Sequence, residues 1–129
     1  MEAFEILDYA QTWAVIGMND NPEKFAYKIY HELKNHHKRV YGVNAKYAQI
    51  EGDPIFPSVS EIPESVDVAL MVVNPSIGIT LLDAISGKAI KTLWLQPGTV
   101  SEPLLEKAKE LGFDVVENCV LAAYRLKGE

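Results

Sequence analysis

The sequence predicts an α/β fold: a doubly wound parallel sheet of five strands, order 3-2-1-4-5, with helices on both faces. Three observations carry that expectation. Strand-like and helix-like patterns alternate along the whole chain. The strand candidates are continuous apolar runs rather than alternating ones, as in strands buried on both faces. The helical stretches between them are long enough to serve as right-handed crossovers between parallel neighbours.

Each element has its own warrant. Residues 4–11 read as a short amphipathic helix with Phe4, Leu7 and Ala10 on one face. Trp13-Ala14-Val15-Ile16, stopped by Gly17, is the first strand. Over residues 22–36 Phe25, Ile29 and Leu33 recur every four positions, with Ala26 and Tyr30 widening the stripe, which is a helical period. Asn21 and Pro22 supply a capping acceptor and a first-turn proline. Residues 39–43 form the second strand, ending at Asn44. The following segment holds Gly52-Asp53-Pro54, Pro57 and Pro63, too proline-rich for a regular interior element, with one helical turn at 58–62. The third strand is 66–73. Asn74 and Pro75 then open a helix that carries Ile77, Leu81, Leu82 and Ile85 and closes at Gly87. Residues 89–95 make the fourth strand, which leads into Gln96-Pro97-Gly98. Ser101-Glu102-Pro103 begins a helix through Leu104, Leu105, Ala108 and Leu111 that stops at Gly112. A fifth strand at 113–116 and a short helix within 117–126, through Leu121, Ala122 and Tyr124, complete one domain over residues 1–129. With its strands alternating with helices in this way, the architecture is Rossmann-like.

Composition narrows the function. Of 129 residues, 48% are hydrophobic and 23% charged, the balance of a globular chain. A net charge of −6 argues against nucleic acid, whose binding draws on phosphate neutralisation by Lys and Arg. The longest basic run, His36-His37-Lys38-Arg39, suits a solvated helix end. The single cysteine, Cys119, allows neither an intramolecular disulfide nor a cysteine cluster for zinc. Met1-Glu2-Ala3-Phe4-Glu5 lacks the basic flank and apolar run of a signal peptide, and no stretch is long enough to span a bilayer. A cytoplasmic protein with no membrane partner is expected.

In doubly wound sheets ligands bind beyond the carboxyl ends of the strands, where strand order reverses. With the order above, that means the turns Gly17-Met18-Asn19-Asp20-Asn21-Pro22 and Gln96-Pro97-Gly98-Thr99. Gly17 lets backbone approach a ligand, Asn19 offers side-chain donors, and the following helix start offers N–H groups. A dinucleotide fingerprint has three glycines where this turn has one. After the second strand, Val43-Asn44-Ala45-Lys46 places an amide able to bond a ribose or an adenine edge, then a cation where NAD-binding domains carry an acid. That arrangement suits an extra phosphate on the ribose, as in NADP or coenzyme A (CoA), and these residues do not separate the two.

No catalytic or metal set is expected. Cys119 reads as a packed, inert thiol, because a reactive one needs a neighbouring cation, helix start or histidine base. His31, His36 and His37 lie on the far end and outer face of the first long helix, and adjacent His36 and His37 diverge there. Asp20, Asp67 and Asp114 have no evident partner carboxylate. Trp13 and Trp94 read as core.

Five segments together carry a family resemblance. They are Val15-Ile16-Gly17-Met18-Asn19-Asp20-Asn21-Pro22, Tyr41-Gly42-Val43-Asn44-Ala45-Lys46, Ser58-Val59-Ser60-Glu61-Ile62-Pro63 followed by Val66-Asp67, Leu93-Trp94-Leu95-Gln96-Pro97-Gly98, and Gly112-Phe113-Asp114-Val115-Val116-Glu117-Asn118-Cys119. In this order and spacing they resemble the small stand-alone CoA-binding-domain proteins, which are similar to the CoA-binding part of the succinyl-CoA synthetase α subunit. The resemblance covers nearly all the chain after residue 12. It implies a CoA pyrophosphate near Gly17, Met18, Asn19 and Asn21, and an adenosine end near Val43, Asn44 and Lys46. It also implies a cleft wall at Val73, Asn74 and Pro75, and a pantetheine side at Gln96, Pro97 and Gly98. The chain departs from the family at Ala45, where proline is usual, at Asn19, where a small hydroxyl residue is common, and at Glu23-Lys24-Phe25, where basic residues occur.

The implied function is binding of CoA or an acyl-CoA by a non-catalytic module: a carrier, a sensor or a subunit with a separately encoded partner. The alternatives are a small NADP-dependent oxidoreductase with Lys46 on the 2′-phosphate, and a Rossmann-shaped interaction protein with a vestigial cleft. Ligase activity by this chain alone is not expected, because the synthetase subunit carries its phosphorylated histidine in a second domain. The tail Val120-Leu121-Ala122-Ala123-Tyr124 either packs on the sheet or meets a second subunit in a homodimer.

Overall fold

The computed structural model describes residues 2–128. In chain order the elements are α1 (Ala3–Tyr9), β1 (Thr12–Ile16), α2 (Phe25–Asn35), β2 (Arg39–Val43), β3 (Gln49–Ile50), β4 (Asp53–Phe56), a 3-10 turn (Val59–Glu61), β5 (Val68–Met71), α3 (Pro75–Gly87), β6 (Thr92–Leu95), α4 (Glu102–Glu110), β7 (Asp114–Glu117) and α5 (Val120–Lys127). They build one sheet of order β3-β4-β2-β1-β5-β6-β7. Every pairing is parallel except that of β3 with β4.

The α/β, doubly wound class holds, while the expected five strands in the order 3-2-1-4-5 are corrected to seven. The proline-rich segment after β2 contains a strand after all. β4 pairs in parallel with β2, Gly42 opposite Ile55 and Val43 opposite Phe56. Pro54 is tolerated because β4 is covered on its outer side only by two-residue β3, an edge position where a missing N–H costs little. Strand 66–73, shortened to β5, therefore lies on the opposite side of β1 from β2, its register running from Trp13 opposite Val68 to Ile16 opposite Met71. The reversal of strand order falls between β1 and β5. The turn that flanks the reversal beside Gly17 is thus Val72-Val73-Asn74, not Gln96-Pro97-Gly98.

Side chains alternate across β1, so Trp13 and Val15 face one layer while Ala14 and Ile16 face the other. On the first face α1, α2 and α5 bury Ile6, Leu7, Ile29, Leu33, Val120 and Ala123. On the second, α3, α4 and the 3-10 turn bury Leu82, Ile85, Leu104, Ala108 and Val59. Each large side chain so buried stabilises the fold by about 1.5–3 kcal/mol. The α5 segment thus packs on this sheet, one of the two places expected for it. Trp13 and Trp94 belong to the first layer, fully buried, with ring centroids 5.7 Å apart. Their indole N–H groups donate to the carbonyls of Ala10 and Asn118.

Four side chains expected elsewhere are repositioned by local geometry. Asn21 uses its Oδ1 on the Glu23 N–H and its carbonyl on the Lys24 N–H, so a turn precedes α2 and the helix starts at Phe25 instead of Pro22. Phe25 opens the helix on its solvent side, 62% exposed. In α1 the buried face is Ile6, Leu7 and Ala10, and Phe4 is 42% exposed. His36 is not on an outer face: it stacks on Tyr124 with centroids 3.7 Å apart. The caps Asn74 and Ser101 stand where the spacing predicts, their side chains accepting from the N–H groups of Ile77 and Leu104.

Candidate functional site

The cleft begins with a glycine. Gly17 has φ +105, and a Cβ there would lie 2.9 Å from Val73 Cγ1 and 3.2 Å from the Val72 carbonyl. Only a residue without a side chain lets the turns after β1 and β5 approach so closely. The N–H groups of Gly17 and Met18 both donate to the Val43 carbonyl, at 2.9 and 3.2 Å, which ties the turn to the end of β2. Met18 turns its side chain into the core, where it packs over Gly42, so it presents only backbone to the cleft.

Between these turns, residues 57–59 and one face of α3 lies a cavity of about 360 Å³, within the size range of small-molecule sites. Its walls are Ile16, Gly17, Val43, Asn44, Ala45, Pro57, Ser58, Val59, Val73, Ile77, Leu81, Ala84 and Ile85. They are almost wholly apolar. The few polar side chains at the cleft are largely committed to the chain itself. Asn44 donates from Nδ2 to the Met18 carbonyl at 2.8 Å and accepts from the Lys46 N–H at 2.9 Å. Asn19 Oδ1 accepts from the Asn21 N–H, and Asn74 Oδ1 accepts from the Ile77 N–H and the Ser76 hydroxyl. Ser58 accepts from the Ser60 N–H. The amide N–H groups of Asn19, Asn21 and Asn74 remain as donors.

The helix starts around the cleft differ. Asn74 caps α3, Ser101 caps α4, and Gln96 Oε1 accepts from Val120, the first residue of α5, at 2.9 Å. At α2 the cap position is Lys24, which has no acceptor, and no side chain among the described residues takes its place. The first-turn N–H groups of α2 therefore point out unpaired, with the positive end of the helix dipole behind them. Such an end favours an anion.

The sequence-predicted residues thus separate into three groups. Gly17, Val43, Asn44 and Val73 meet in the cavity wall. Asn19, Asn21, Lys46, Asn74 and Pro75 stand on the turns around it. Gln96 is 3% exposed and joins the end of β6 to α5, while Pro97 and Gly98 form an exposed turn; none of these three lines the cavity. Sequence reasoning missed the apolar wall on α3. Ile77, Leu81 and Ile85 follow one another at four-residue spacing and read as core, yet Ile77 is 48% exposed. Cys119 sits at the cap position of α5, part-buried. Among the described residues no group of three His, Cys, Asp or Glu could hold a metal, and no helix is long and apolar enough to cross a membrane.

Comparison with known proteins gives a consistent picture. A family model described as a CoA binding domain matches residues 11–125. The ADP-forming acetate–CoA ligase I of Archaeoglobus fulgidus is 45% identical over 69 residues, 54% of this chain and 10% of that protein. The α subunit of ADP-forming acetate–CoA ligase I from Pyrococcus furiosus is 29% identical over 132 residues, 98% of this chain and 28% of that subunit. A solved structure, a hypothetical protein from Pyrococcus horikoshii OT3, superposes with a TM-score of 0.90 at 30% identity, covering 95% of this chain and 87% of that one. The chain matches only 10% and 28% of the length of the two ligase relatives.

Proposed function

The chain belongs to the CoA binding domain family, and from that premise we propose that it binds coenzyme A or an acyl-CoA as a non-catalytic module. One observation carries the reading: an apolar cavity opens on the glycine turn at the reversal of strand order, and the segment that follows that turn runs into an uncapped helix start. These are the two surfaces a nucleotide needs. A flat, weakly polar base suits walls made by Ile16, Val43, Val73 and Ile77. A diphosphate suits the open N–H groups of α2, helped by the amides of Asn19 and Asn21. Lys46, on the rim, offers the ammonium for a phosphate on the ribose, and Gln96, Pro97 and Gly98 lie towards the pantetheine side, beyond β6.

When bound, CoA supplies a thiol able to carry an acyl group as a thioester. The chain's own part is to hold and orient the nucleotide end. Apolar walls and backbone donors bind and exclude water, and no acid–base pair lines the cavity. The names of the ligase relatives support CoA as the ligand and suggest a partner subunit as the place where acyl chemistry occurs.

The test is a calorimetric titration of the purified protein with CoA, run beside NADPH and NAD. Saturable heat with CoA alone is expected. Binding of NADPH alone, or of none of the three, overturns the reading.

A further inference from the structure

The turn that would receive a diphosphate carries an anion of its own. Asp20 lies between Asn19 and Asn21, exposed, and its carboxylate Oδ1 accepts a hydrogen bond from the Tyr47 hydroxyl at 3.2 Å. Tyr47 comes from the opposite lip, the loop after β2. There Asn44 fixes the chain: its side chain takes the Lys46 N–H and holds the Met18 carbonyl, and its own carbonyl accepts from the Tyr47 N–H at 3.4 Å. Lys46 Nζ stands 5.8 Å from the centroid of the Tyr47 ring. A line from carboxylate through phenol to ammonium therefore joins the turn after β1 to the loop after β2.

We propose that Tyr47 is a positioning residue that holds the Asp20 carboxylate against the β2 side of the cleft and so clears the start of α2 for a diphosphate. The proposal rests on the reading that this cleft binds CoA. Its physical basis is simple electrostatics. A carboxylate free to swing towards the α2 N–H groups competes for them and repels the incoming phosphates. A hydroxyl donating to a carboxylate makes a charge-assisted bond, stronger than a neutral one, and keeps that charge on the far lip.

A double-mutant cycle tests it, with CoA and ADP as probes because both carry the diphosphate. Tyr47→Phe keeps the ring beside Lys46 and removes the latch; Asp20→Asn removes the charge. Asp20 is exposed and Tyr47 is half-buried against the layer of α1, α2 and α5, so unchanged melting curves are required to show that folding is not what changes. Tyr47→Phe is expected to weaken both ligands about three- to tenfold, the effect of one unit charge at roughly 6 Å in a water-rich site. That loss shrinks as salt is raised. In the Asp20→Asn background, Tyr47→Phe should have no further effect. Equal losses with and without the Asp20 charge, or a loss indifferent to salt, overturn the proposal while leaving CoA binding in place. A wild-type protein that binds neither CoA nor ADP instead overturns the reading on which the proposal rests.

Discussion

The two ends of the parallel sheet use the same kinds of residue in opposite ways. At the amino ends of the strands, polar groups close on one another. Asp67 Oδ2 accepts from the N–H groups of Gln11 and Thr12 at 2.8 and 3.1 Å. Arg39 donates to Glu64 and to the Thr12 hydroxyl, and Tyr41 donates to the other oxygen of Glu64. At the carboxyl ends, asparagine side chains shape the turns and the first N–H groups of α2 are left without an acceptor. Buried polar groups are normally paired, and the donors left open at the carboxyl ends are the ones the proposed ligand would meet. The closed end holds the strands in register.

Four measurements break or sharpen that contrast. The largest effect is expected from Gly17→Val, which forces a branched side chain into the left-handed region and against Val73. It should cost at least about 2–3 kcal/mol in urea unfolding and abolish CoA binding, because turn and cavity wall are lost together. Asp67→Ala leaves two backbone N–H groups at the closed end without their acceptor, for a loss of about 1–3 kcal/mol. CoA affinity should stay within about twofold, since sites this far apart act independently; a large loss of affinity would mean that the two ends are not separable. Lys46→Glu should do the reverse, leaving the melting temperature unchanged and weakening CoA about tenfold more than dephospho-CoA. Equal weakening of both would remove Lys46 from the ribose phosphate.

The smallest effect concerns acid. The Tyr41 hydroxyl, then Arg39, hold the Glu64 carboxyl below its ordinary 4.5. Lys34, then Tyr30, hold Asp53 below its ordinary 3.8 where that carboxylate pins the β4 hairpin to α2. A carboxyl depressed by folding stabilises fully above its unfolded value, and the contribution disappears as pH falls through its lower folded value. The melting temperature should therefore be flat above about pH 5 and fall below about pH 4. Glu64→Gln should make that fall shallower, as read by calorimetry across the range; an unaltered slope would show that the Glu64 cluster does not contribute to it.

Much of the fold was legible because it is written in burial. The central strands are continuous apolar runs, and Asn74-Pro75 and Ser101-Glu102-Pro103 are helix starts with an acceptor and a proline in place. The edge was not legible. β4 opens with Asp53 and Pro54 and is only partly buried, so it lacks the apolar signature of its neighbours; missing it displaced β5 and moved the expected reversal one strand along the sheet. The site was legible where a backbone constraint shows in the sequence, as at Gly17. Elsewhere a polar side chain looks the same whether it awaits a ligand or folds back on its own turn. Asn19, Asn21 and Asn44 do the latter with their carbonyl oxygens. The apolar wall of α3 was hidden for the opposite reason: a lining leucine and a core leucine have the same helical period.

The chain has two tryptophans, and both are sealed in the layer of α1, α2 and α5. The cavity is walled by side chains of the other layer. Intrinsic fluorescence therefore watches one side of the sheet while a base seated in the cavity would occupy the opposite side. Emission should follow unfolding and stay silent on saturation with ligand, so that the two events are read in separate optical and calorimetric channels from one sample. A shift in emission on adding CoA would report mechanical communication through the sheet itself, from one helical layer to the other.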